Sequence, residues 1–140
     1  SGLNTQALLA LSSDLSLSEI CSLPKGCHNA MPHRDGVLFN DTVADAVRYV
    51  NPSSAEVAVA VPTFPAEQLE YRGVDDSRIA RQGFGRGLCV IDDILVAAGS
   101  SPSTVSIVDM VQGKRLTAVN LTMDIRNAIH GLELWPDRWC

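Results

Sequence analysis

Aromatic side chains are scarce, at 5% of the residues, and nowhere do Lys and Arg gather into a basic run. With a formal net charge of -5, that scarcity argues against nucleic-acid phosphates or an anionic membrane surface as partner. No stretch of 18 apolar residues exists, so no helix of the chain is suited to crossing a bilayer. The cysteines, Cys21, Cys27, Cys89 and Cys140, form no C-x-x-C pair. A disulfide framework is the device of smaller domains with weaker cores. Catalytic signatures are also missing: there is no G-x-S-x-G elbow, no G-x-G-x-x-G leading into a helix and no H-E-x-x-H. The first residues, SGLNTQALLAL, lack a basic segment, a continuous apolar core and an initiator Met. The expectation is a chain without a signal peptide and a cytoplasmic location, a processed start staying open.

What the chain does have is apolar content, 46% of 140 residues. A domain of this size hides roughly two-thirds of its unfolded surface. The apolar residues come in short runs rich in Val, Ile, Leu and Ala, bounded by Gly, Pro, Asp, Asn or Ser, which is the composition of half-buried strands. In the C-terminal half these predict strands at 88–91, 94–98, 105–108 and 116–121, after which AIHGLELWP opens another. Asp92-Asp93, Ser100 to Ser103 and Gln112-Gly113 supply the turns.

The N-terminal half reads the same way. Strands are expected at 7–11 and 15–22 around Ser12-Ser13-Asp14, then in GCHNAMP, VLFNDT, AVRYVN and EVAVAVP. The alternation from Glu56 to Val61 suits a strand with one well-packed face. The two halves match strand for strand: VLFNDT answers ILVAAG, YVNPSSAEVAVAV answers IVDMVQGKRLTAV, and GCHNAMP answers GRGLCV. Residues 7–23 answer the last two strands of the same unit. Internal repetition at roughly 40 to 60 residues marks propeller blades. The reading is therefore all-β and β-propeller-like, a single domain over 1–140 with two complete four-stranded blades and partial blades at each end. A β-sandwich or small barrel is the alternative.

One stretch has no counterpart in the repeat. Pro62 to Gln82 is a long insertion whose segment Ala66 to Tyr71 suits a single helical turn. It is either a surface excursion or a functional loop. About eleven strands also fall short of the four or more blades that a closed propeller needs. The exposed flanks call for other sheets, supplied by the remainder of a propeller or, as favoured here, by identical chains in a homo-oligomer.

Superposing the repeats places His28, Arg86 and His130 at equivalent points, at or beside the start of each unit's first strand. If they converge, the imidazoles suit metal binding or proton transfer, and the guanidinium suits an anionic group. The alternative is that each His caps a strand end or bonds a nearby carbonyl. Glu133 falls on the same face as Gly131, or pairs with Arg138. Asn40 and Asp41, ending a strand, offer hard oxygens of the kind Ca²⁺ takes, or else an Asx-turn into Thr42. Asn40 and Asn120 also sit in glycosylation sequons. Gly83 to Gly87 opens a strand, and its glycines suit close backbone approach more than phosphate binding. Cys89 reads as a small buried hydrophobe, Cys21 and Cys27 as flanking a turn they have a minor chance of bridging, and Trp135 and Trp139 as core or interface anchors.

GFGRGLCVIDDILVAAG, VSIVDMVQGKRL and AIHGLELWP resemble the C-terminal blades of an uncharacterised bacterial β-propeller family. Its members carry a G-x-x-RGL strand, a V-D-x-x-x-G turn and a closing L-x-V-x-P. More distantly, HGLELWP and VLFND are similar to elements of the six-bladed calcium-dependent lactonases, the paraoxonase and gluconolactonase group. The resemblance spans roughly residues 26–136. It implies a propeller, with calcium ligation resting on Asn40 and Asp41 alone, since the other repeat has Ala97 and Ala98 there. Two functions follow as expectations. One is a module binding a ligand or protein through the 62–82 loop and the channel mouth. The other is a metal-assisted, lactonase-like hydrolase with His28, Arg86 and His130 in its site.

Overall fold

The computed structural model describes residues 5–51, 56–71 and 81–135. They form an all-β structure of three antiparallel sheets. The first is a pair, β1 (Ala7–Leu11) and β2 (Leu17–Ser22). The second is a meander of β3 (Cys27–His33), β4 (Gly36–Asp41), β5 (Ala46–Val50) and β6 (Val57–Ala60). The third repeats that order with β7 (Gly87–Val90), β8 (Leu95–Ser100), β9 (Thr104–Asp109) and β10 (Lys114–Asn120). Each sheet follows chain order, and no barrel closes among the described residues.

The turns are built by aspartates. Asp92 Oδ1 accepts the backbone N–H groups of Ile94 and Leu95, both at 2.7 Å. Asp109 Oδ1 takes those of Val111 and Gln112 at 2.8 Å, and Asp41 Oδ1 takes that of Ala44 at 3.0 Å. Each carboxylate satisfies donors that a reversing chain cannot pair within a ladder.

Alternation along the strands sets the stacking, because successive side chains leave opposite faces. In β4, Val37 and Phe39 pack with Leu8, Leu23 and Cys27 toward the first sheet. Leu38 points the other way, into a core shared with Leu88, Val96, Ala98, Val108 and Met110 around the third sheet. In β8 the face that meets the preceding sheet carries Val96 and Ala98, and Gly99 faces the far side, against Ile129. Every sheet thus meets its predecessor with the same face. Apolar side chains stand exposed at both ends of the stack: Leu11 is 64% exposed and Leu17 66% on the first pair, Val119 58% on β10.

Two expectations need correction. The strand expected in AIHGLELWP does not form; residues 128–135 carry no ladder partner, although Ile129 N–H reaches Ser100 O at 3.4 Å. A strand needs a neighbour, and none stands there among the described residues. Trp135 is 73% exposed and anchors no core. Cys21 and Cys27 are free thiols, in keeping with the lack of a disulfide framework expected from the sequence; Cys27 lies in the core between sheets one and two.

The insertion does make a single turn, a 3-10 helix at Ala66–Gln68. It is less of an excursion than its length suggests. Glu70 N–H bonds Met123 O at 3.0 Å, and Phe64 N–H bonds Gln82 Oε1 at 2.8 Å. Arg81 closes it with an ion pair to Asp45 at 2.7 Å. The turn expected at 52–54 and residues 72–80 lie outside the described residues, as do Arg138 and Trp139.

Candidate functional site

The inner ends of β3, β4 and β7 come together through polar side chains. His28 Nδ1 lies 3.0 Å from Gly26 O and 2.8 Å from Thr42 Oγ1. Thr42 spends its own proton on Gly85 O at 3.1 Å, and a carbonyl only accepts. The hydrogen of the ring therefore sits on Nδ1, which leaves Nε2 as an acceptor with no partner among the described residues. Next to it, Asn40 donates to Gly87 O at 3.1 Å, and Asn29 donates to Arg86 O.

These bonds clamp the glycine run of 83–87 against the second sheet. A Cβ on Gly85 would meet Asn40 Oδ1 at 3.1 Å, and one on Gly87 would meet Ile129 O at 3.0 Å. The run serves close backbone approach, as its composition suggested.

Phe84, buried within that run, is the platform of the site. The Arg86 guanidinium lies over its ring at 4.3 Å and that of Arg81 at 5.3 Å; the His28 ring is 6.4 Å away. Arg81 is neutralised by Asp45. Arg86 has no ion pair among the described residues, and its Nε is buried without a partner. Stacking on Phe84 thus holds an unneutralised cation at the inner ends of two sheets.

Burial pushes the His28 pKa below its ordinary value, and the positive charges of Arg86 and His130 push it further. His28 fulfils the plainer expectation, bonding a carbonyl at its strand's start. His130 and Glu133 are exposed on the unpaired segment after β10.

Asn40 and Asp41 are not brought together. They leave β4 on opposite faces, Asn40 toward Gly87 and Asp41 toward Arg48, which it holds at 2.6 Å and whose guanidinium lies over Phe39. Adjacent strand residues cannot both turn to one ion. No group of three or more His, Cys, Asp or Glu suited to a metal occurs among the described residues. Asn40 is also fully buried, which removes its sequon from any surface.

A cavity elsewhere was not foreseen. A cleft of about 390 Å³ opens between β2 and the β4–β5 pair, lined chiefly by Ile20, Leu23, Val37, Phe39 and Val50. Its residues come from separate repeats, so only the stacking of the first pair on the second sheet reveals it. Phe84 and Thr42 were missed for another reason. The signal for Phe84 was present, an aromatic between two glycines where aromatics are scarce. For Thr42 nothing in the sequence indicated a role beyond the turn.

The chain matches no protein-family model, no curated protein and no solved structure.

Proposed function

We propose that this chain is a β-propeller-like binding module whose stack is continued by further sheets, supplied by identical chains, and whose ligand is taken at the inner strand ends beside His28, Arg86 and His130. The observation that carries the reading is the repeated facing of the sheets. Val37 and Phe39 of the second sheet and Val96 and Ala98 of the third meet the preceding sheet in the same way. Leu132 and Ile129 then approach Gly87 and Gly99, in the manner of a next innermost strand. A stack that continues in one sense leaves complementary open ends, and copies joined head to tail close them. The exposed leucines of the first pair support this, since apolar flanks of that kind are liabilities when left in water.

A solution molar mass by light scattering tests the reading. Expected is a defined multiple of 15.0 kDa that dissociates when Leu11 and Leu17 are replaced by Glu. A single chain that stays at 15.0 kDa at high concentration, with neither end associating, overturns it.

A further inference from the structure

We infer that the site at the inner strand ends binds a small hydroxycarboxylate, its carboxylate held by the terminal nitrogens of Arg86 and its hydroxyl donated to Nε2 of His28. The inference rests on the reading above for the place of the ligand and goes beyond it in naming the ligand's chemistry.

Charge comes first. Of the two guanidinium groups stacked on Phe84, Arg81 already has the Asp45 carboxylate at 2.7 Å. Arg86 has none among the described residues. Its Nε is sealed off from solvent, so its terminal nitrogens are the only donors left for a ligand. Two parallel N–H groups on a planar fork match the two oxygens of a carboxylate. The backbone around Arg86 is fixed on both sides: its N–H bonds Gly99 O at 2.9 Å and its carbonyl accepts from Asn29. A donor fork held on an aromatic ring by an anchored backbone loses little freedom on binding.

The second feature is the acceptor. With Nδ1 carrying the proton for Gly26 O and Thr42, the neutral ring offers a lone pair and no hydrogen at Nε2. The His28 ring lies 6.4 Å from the Phe84 ring on which the Arg86 guanidinium is stacked, and a lone pair there repels a second carboxylate oxygen and accepts an O–H. Acid and hydroxyl on one small molecule satisfy both groups together.

The test is a titration of the whole chain with glycolate and with acetate, followed by ¹H–¹⁵N spectra at the amides of Gly85, Arg86 and Gly87. Expected is saturable binding of both, with glycolate about five-fold tighter, the worth of one hydrogen bond. Arg86→Gln abolishes both, and Arg86→Lys, which keeps the charge and loses the fork, weakens both. His28→Gln removes the advantage of glycolate and leaves acetate unchanged. Spectra that superimpose elsewhere show each variant folded. Binding that survives Arg86→Gln, or equal affinity for the two probes in the unaltered chain, overturns the inference. An assembly of the expected mass that binds neither probe leaves the module standing and removes this ligand.

Discussion

Asn40 gives its side-chain amide to the carbonyl oxygen of Gly87 across 3.1 Å, a buried bond that ties the second strand of one sheet to the first strand of the next. The strands are 47 residues apart in sequence. Removing the donor leaves Gly87 O without its partner inside a dry contact. Asn40→Ala is expected to cost roughly 1–3 kcal/mol in urea denaturation. Asn40→Asp is expected to cost more, because it sets a carboxylate against a carbonyl in the same space. Equal stability of the two variants would show that the carbonyl finds another donor.

Gly99 shows how closely the segment after β10 lies on the third sheet. A Cβ there would stand 2.5 Å from Ile129 Cγ2 and 2.9 Å from its carbonyl oxygen, whereas one on Gly131 would meet nothing within 4 Å. Gly99→Ala is therefore expected to lose roughly 1–3 kcal/mol of stability by overpacking, and Gly131→Ala to lose almost none. Amide exchange should quicken at Ile129 in the first variant alone. Gly99→Ala as stable as the parent would mean that Ile129 does not pack against β8 in solution.

Asp41 and Arg48 form an ion pair at 2.6 Å at the end of β4. Asp41 is nearly closed to solvent, with 4% of its side chain exposed against 24% for Arg48. Arg48→Ala strands a carboxylate in the core, at a cost of roughly 1–3 kcal/mol, the partial exposure of the arginine reducing the figure for a fully buried pair. The double variant Asp41→Leu, Arg48→Met should recover only part of that loss: no buried charge remains and Glu56 is free to be hydrated, but the Ala44 N–H loses the acceptor that closes its turn. Millimolar calcium should leave the unfolding midpoint of the parent unchanged. A calcium-dependent rise would restore the metal reading.

The strands were legible because each lies in a run of β-branched and aliphatic residues closed by turn formers; 7–11 in particular is β1 as it stands. The expected alignment of His28, Arg86 and His130 is not repeated in the ladders: His28 lies within β3 opposite Asn40, Arg86 stands just before β7, and His130 lies on no strand. What the residues did not disclose is which face each side chain takes. Asn40 and Asp41 look alike as oxygen donors until alternation sends them to opposite sides of β4. The segment from Ala128 to Trp135 has the composition of a strand, but a strand is a property of two neighbours, and composition describes only one. The cleft beside Phe39 depends on how two sheets stack, a relation that no local pattern encodes.

His33 supplies the last prediction, a dependence on pH. The ring is 5% exposed and meets Tyr49 edge-on at 5.8 Å, with Nε2 buried and unpartnered. Burial lowers its pKa, the nearby Arg34 charge lowers it further, and Asp92 and Asp93 oppose them. His28 is shifted in the same direction. In the unfolded chain both titrate near the ordinary value of about 6.5. Protons therefore bind the unfolded state first, so the stability these rings contribute is fully present above that value and is lost as pH falls toward their lower folded pKa values. The shifted carboxylates, such as Asp35 and Asp124, respond only at more acidic pH, since they too are depressed. Between roughly pH 7.5 and 5.5 the denaturation midpoint should decline. His33→Phe, which keeps the edge contact with Tyr49 and cannot take a proton, should flatten that decline. A slope identical in parent and variant would mean that His33 is protonated in the fold as readily as in the open chain, and that its burial carries no electrostatic cost.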